Sequence, residues 1–156
     1  MSEIGFTPPE MNQGQEVLSP KSSVEWFRDS EHTYSVIIGE PGVGRATGTL
    51  NDYGDTAPRS IYVDMFAADT PGNHSGTRLL ELLRDEGRKY GATSMSGHFI
   101  SPASLGAFLN VVDGEVSFRP RYSHEPISIT AEEAMKSPQS YIASASILEK
   151  KAVDQV

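Results

Sequence analysis

Between residues 60 and 91 the chain changes its hydrophobic period within a few residues, and that change limits what it can fold into. Residues 60–68, SIYVDMFAA, are β-prone and largely apolar, with Asp64 as the one acidic interruption, which suits a mostly buried strand. Past a short polar turn, Leu79, Leu80, Leu82, Leu83 and Tyr90 recur at helical spacing, while Arg78, Glu81, Asp85, Arg88 and Lys89 fall mostly on the opposite side. Gly91 is placed to end that helix, residues 92–99 read as another strand, and Ser101-Pro102 opens a second helix through about residue 112. The order strand, helix, strand, helix gives an α/β (α+β) domain. Its first turn, 69–76, carries two glycines directly before a helix, whose unpaired N-terminal amides and dipole suit phosphate oxygens.

The flanking segments extend this pattern. Residues 34–38 and 44–50 form a hairpin about Glu40-Pro41-Gly42, and 51–58, rich in Asn, Asp, Gly and Pro, form a loop. A short helix is expected over 22–29, capped by Ser22 or Ser23. After Asp113-Gly114, residues 115–119 and 127–129 suggest a pair of strands that Pro120 and Pro126 push toward a sheet edge. Thr130 and Glu133 have capping-box spacing, and residues 141–150 suggest a last helix. Pro8, Pro9, Gly14 and Pro20 mark residues 1–20 as an extended, flexible arm, so the 156-residue chain reads as one domain over 21–156 with its core at 34–112.

Composition removes several classes of function. With 21 acidic and 13 basic side chains the formal net charge is −8, so nucleic acid is a poor partner. The absence of cysteine rules out disulfides, thiolate metal sites and a cysteine nucleophile. No apolar run approaches a membrane span and the N-terminus lacks a signal peptide's apolar stretch, so a soluble cytoplasmic protein is expected. His32, His74, His98 and His124 are scattered without metal-ligand spacing, and no GxSxG elbow accompanies the serines. Arg119, Arg121 and His124 form a small basic cluster, read as a solvated charge group.

The run GNHSGTRLL, followed by a helix, Tyr90-Gly91-Ala92, a strand and a helix, resembles the acyl-CoA loop of the GNAT N-acetyltransferase superfamily. The family's pattern of Gln or Arg, two residues, Gly, one residue, then Gly or Ala falls on Pro71, His74 and Gly76, of which the last matches. The resemblance implies a mixed, mostly antiparallel central sheet flanked by helices, with acetyl-CoA as co-substrate and no metal. In that family the loop amides hold the CoA pyrophosphate, here those of Gly72, Asn73, His74, Ser75, Gly76, Thr77 and Arg78. The strand amides of Phe66, Ala67 and Ala68 would pair with pantetheine and polarise the thioester, and Ser104 on the next helix joins the cofactor-binding set.

VDMFA is similar to the acidic strand that precedes the loop in amine acetyltransferases, which makes Asp64 the candidate base and an attractor for a cationic amine. The family's tyrosine acid falls, by counting from Ser101, on Phe108, which has no hydroxyl; Tyr122 is the candidate substitute and Tyr90 a second. Two functions stay open at this point. One is an N-acetyltransferase acting on a small amine or a protein amine; the other is a non-catalytic binding or assembly module of the same fold, such as a phage virion component. A homodimer or larger assembly through sheet edges is compatible with either.

Overall fold

The computed structural model describes residues 16–17, 22–69, 74–112 and 115–148. Most of the anticipated arm, the loop 70–73 with Pro71, Gly72 and Asn73, the turn 113–114 and the residues after 148 lie outside the described residues. Eight strands form one sheet: β1 (Glu16–Val17), β2 (Ser23–Arg28), β3 (Thr33–Glu40), β4 (Gly44–Asn51), β5 (Ser60–Ala68), β6 (Ser94–Gly97), β7 (Val116–Pro120) and β8 (Tyr141–Ser146). Their order across the sheet is β1-β2-β3-β4-β5-β6-β8-β7, and β5 with β6 is the parallel pair among antiparallel neighbours. Three helices follow the strands: α1 (Ser75–Lys89), α2 (Pro102–Val111) and α3 (Ala131–Ala134). None of the described helices is long and apolar enough to cross a membrane.

The mixed, mostly antiparallel sheet expected from the sequence is the one observed, and the central run of β5, α1, β6 and α2 stands where the periodicity puts it. α1 buries Leu79, Leu80 and Leu83 against Ile61 and Leu50, as its apolar stripe requires. Ser101 and Ser104 close a capping box at α2, and Thr130 and Glu133 do the same at α3.

Two expected helices are strands. In place of the short helix expected through residue 29, Val24 and Trp26 are buried while Ser23, Glu25 and Phe27 are not, the two-residue alternation of β2. Residues 141–150 likewise begin with β8, whose Ala143 and Ala145 face the core. The cause there is tertiary: β8 fills the slot between β6 and β7, pairing with both, and such a central position overrides the helix preference of alanine. The expected strand at 127–129 is reduced to a single bridge between Ile127 and Phe118, and β7 takes β8 as its partner instead. β7 is the sheet edge, as Pro120 implied.

The parallel pair does not run the length of β5. Pairing with β6 begins at Ser60↔Ser94 and stops at Val63↔Gly97, so the last five residues of β5 have β4 on one side and no strand on the other. An aromatic cluster fills the base of this opening. Phe99 stacks on the fully buried Phe108 with ring centroids 4.7 Å apart and meets Phe66 edge-on at 6.2 Å. Gly97 lets the Phe99 ring lie this close, because a Cβ there would be 2.6 Å from Phe99 Cζ. The three phenyl rings thus meet beside the point where the parallel pairing stops.

Candidate functional site at the parted strands

A bulge interrupts β5 at the start of its open half. Pairing with β4 shifts register between Thr47 and Gly48, with Thr47 opposite Met65 and Gly48 opposite Val63, so Asp64 is the extra residue. Asp69 donates its backbone N–H to Val43 O at 2.9 Å, and N–H groups alternate edges along an antiparallel strand. Ala67 therefore faces β4, while Phe66 and Ala68 turn their N–H groups into the opening. Of the three strand amides singled out from the sequence, two point into the cleft and Ala67 does not.

A cavity of about 430 Å³ lies beside these amides, between the first turns of α1 and α2. His74, Ser75, Gly76 and Thr77 line it from α1, Ser101 and Ser104 from α2, and Phe66 and Ala68 from β5. Two helix N-termini thus converge on one space, and among the described residues His74 is the sole titratable side chain in its lining. The space favours an anion through backbone donors and helix dipoles. Gly76 admits the Phe66 ring, since a Cβ there would stand 3.1 Å from Phe66 Cε2.

His74 occupies the N-cap of α1 with φ 59° and ψ 18°, the left-handed conformation that favours glycine, and its side chain caps nothing. This is the position where the resembled loop carries its central glycine, so the backbone keeps the glycine-type geometry with a histidine in it. The Arg78 side chain, one residue past this lining, is held by Glu40, Nε to Oε1 at 3.2 Å.

A second cavity, of about 360 Å³, shares Phe66 and Ser104 with the first and is lined further by Tyr62, Asp64, Met65, His98 and Ile100. Thr49 Oγ1 donates to Asp64 Oδ2 at 2.7 Å, which fixes the carboxylate on the face of the sheet that carries Tyr62. Tyr62 was missed in the sequence because a strand tyrosine with no motif around it reads as packing. Its pKa is raised above 10.0, first by burial and then by the negative charge of Asp64, with Arg119 opposing. Tyr122 is 87% exposed on the β7–β8 connection, stacks under Arg121 at 5.0 Å and lines neither cavity. Tyr90 packs on Trp26 at the far end of α1.

Two results are expected. His74→Gly raises the unfolding free energy in urea by about 1 kcal/mol by removing left-handed strain, whereas His74→Val lowers it. Because Tyr62 titrates above its unfolded value of 10.0, the stability it contributes is intact below that pH and lost as pH rises through the folded value. Asp64→Asn removes one of the two causes and moves the Tyr62 transition to lower pH, read as the tyrosinate absorbance difference between each protein and its Tyr62→Phe counterpart.

No protein-family model and no curated protein sequence matches this chain. Among solved structures it is similar to Tetrahymena GCN5, at 12% identity and a TM-score of 0.43 over 78% of this chain and 72% of that one. It is also similar to a tandem GNAT protein from the clavulanic acid biosynthesis pathway, solved without AcCoA, at 15% identity and a TM-score of 0.39 over 80% of this chain and 37% of that one. The sheet is mixed and mostly antiparallel, as the resemblance to the GNAT superfamily implies, and its parallel pair parts beside the N-terminus of α1.

Proposed function

We propose that the chain is an N-acetyltransferase that takes its acetyl group from acetyl-CoA and passes it to an amine. The observation that carries this reading is the polarity of the cleft, which has two helix N-termini on one side and the Asp64 carboxylate on the other. An anionic donor and a cationic acceptor fit those two sides and no other arrangement of the pair does.

The residues present fit the co-substrate. The amides of Ser75, Gly76 and Thr77, in the first turn of α1, would hold the pyrophosphate. The outward N–H groups of Phe66 and Ala68 would pair with the pantetheine amides and polarise the thioester carbonyl, as fixed backbone donors do for developing negative charge. Acetyl-CoA supplies an activated acyl group. Asp64 attracts the amine as its ammonium form and takes up a proton, directly or through water, so that the nitrogen lone pair can attack. A C–N bond forms, the C–S bond breaks with its electron pair on sulfur, the thiolate needs one proton, and the nitrogen sheds its second proton, which restores the group that protonated the thiolate. Tyr62, kept protonated by burial and by Asp64, is the hydroxyl in the acceptor cavity that can supply it. Ser104 stands between the two cavities with its hydroxyl engaged in the α2 capping box.

A second reading, a non-catalytic module of the same fold, draws on Phe108, which is fully buried where the resembled family carries its tyrosine. It requires that no amine be acetylated even when acetyl-CoA binds.

Calorimetric titration with acetyl-CoA, with desulfo-CoA and ATP as controls, is expected to show micromolar binding. Ala103, exposed in the first turn of α2 and lining the larger cavity, offers a variant that spares the core. Ala103→Asp adds a carboxylate that the helix dipole tolerates but phosphates do not, at about 1–4 kcal/mol for charges near contact distance, so affinity falls about tenfold or more with unfolding stability retained. Absence of binding at millimolar acetyl-CoA contradicts the proposal.

A further inference from the structure

The acceptor side of the cleft is described above only as anionic. Resting on that reading, its lining also defines the class of amine. The bulge at Asp64 breaks the alternation of β5, so that two successive side chains, Asp64 and Met65, both face solvent. Met65 is 55% exposed, and across the cavity Ile100, just ahead of the α2 N-cap, is 68% exposed. Large apolar side chains left in water at a cavity mouth mark a surface that something apolar covers. Among the described residues, Asp64 is the sole carboxylate in that lining. A second ammonium bound there would lie against the apolar groups of Met65 and Ile100, with no second carboxylate among the described lining residues to pair with. The described helices pack on the opposite face of the sheet, where Ile61 and Val63 point, so the apolar body of a ligand at Asp64 can extend past Met65 without meeting a helix.

We infer that the acceptor is a primary monoamine carried on an apolar body, and that polyamines and amino sugars are excluded. In the complex one ammonium pairs with Asp64 while the apolar body covers Met65 and Ile100.

The test is methyl-detected NMR of the full chain, observing the Met65 and Ile100 methyl groups during titration with 2-phenylethylamine, spermidine or a lysine-bearing peptide, without acetyl-CoA. The expected result is saturable shifts of both methyls with 2-phenylethylamine, at least tenfold tighter than with spermidine or the peptide. Met65→Gln with Ile100→Gln, two exposed sites whose replacement removes the observed methyls and is followed instead at the backbone amide of Asp64, weakens 2-phenylethylamine about tenfold and leaves spermidine unchanged, while Asp64→Asn weakens both. Spermidine or the peptide binding as tightly as 2-phenylethylamine overturns the inference, as does the absence of shifts with 2-phenylethylamine. Because no cofactor is present, the two proposals fail separately. If these shifts appear but acetyl-CoA does not bind, the amine site stands and the transferase falls. If acetyl-CoA binds but the amine ranking is reversed, only the amine class falls.

Discussion

The contact on which the molecule's chemistry depends is the stack of Phe99 on Phe108, with Phe66 closing its edge. Beside them β5 and β6 stop pairing beyond Val63 and Gly97, so the outward amides of Phe66 and Ala68 are not consumed by the sheet. A buried N–H left without a partner is costly, so a strand end of this kind persists only where something else satisfies it, water or a ligand. The ring cluster therefore completes the core under α1 and α2 beside a strip of backbone donors facing a cavity.

The rest of the site is arranged by charge. The first turns of α1 and α2 bring partial positive charge to one mouth of the opening, and the bulge presents Asp64 at the other. The His74 backbone fits the same logic. A left-handed residue at the α1 N-cap aims the following amides into the cavity, and the chain keeps that geometry although histidine is a poor residue for it. Glu40 holds Arg78, so in this arrangement affinity for an anion rests on the main chain.

How much of this could be read in the sequence follows from which interactions are local. The strand at Ser60–Ala68, the helix at Ser75–Lys89 and the capped start of α2 depend on periodicity and capping within a few residues, and all were legible. β8 was not, because YIASAS becomes a strand only when β6 and β7 offer it two edges. β2 was misassigned for a different reason: Val24, Trp26 and Phe27 fit a short helical turn as well as a strand, and its pairing with β3 decides between them. Met65 and Ile100 were invisible as site residues. Strict alternation would put Met65 on the core face with Val63, and the bulge that turns it outward leaves no mark in the sequence. Asp64, by contrast, was legible as an acidic break in an apolar strand, and it lies at the second cavity.

The mode of donor binding described here is addressed most directly by an amide-resolved NMR titration with acetyl-CoA. Binding in the opening requires the largest shifts at Phe66, Ala68, Ser75, Gly76 and Thr77, with Ala67, bonded to β4, shifting less than either neighbour. Shifts centred elsewhere on the sheet, or a response of Ala67 greater than that of Phe66 and Ala68, would contradict it.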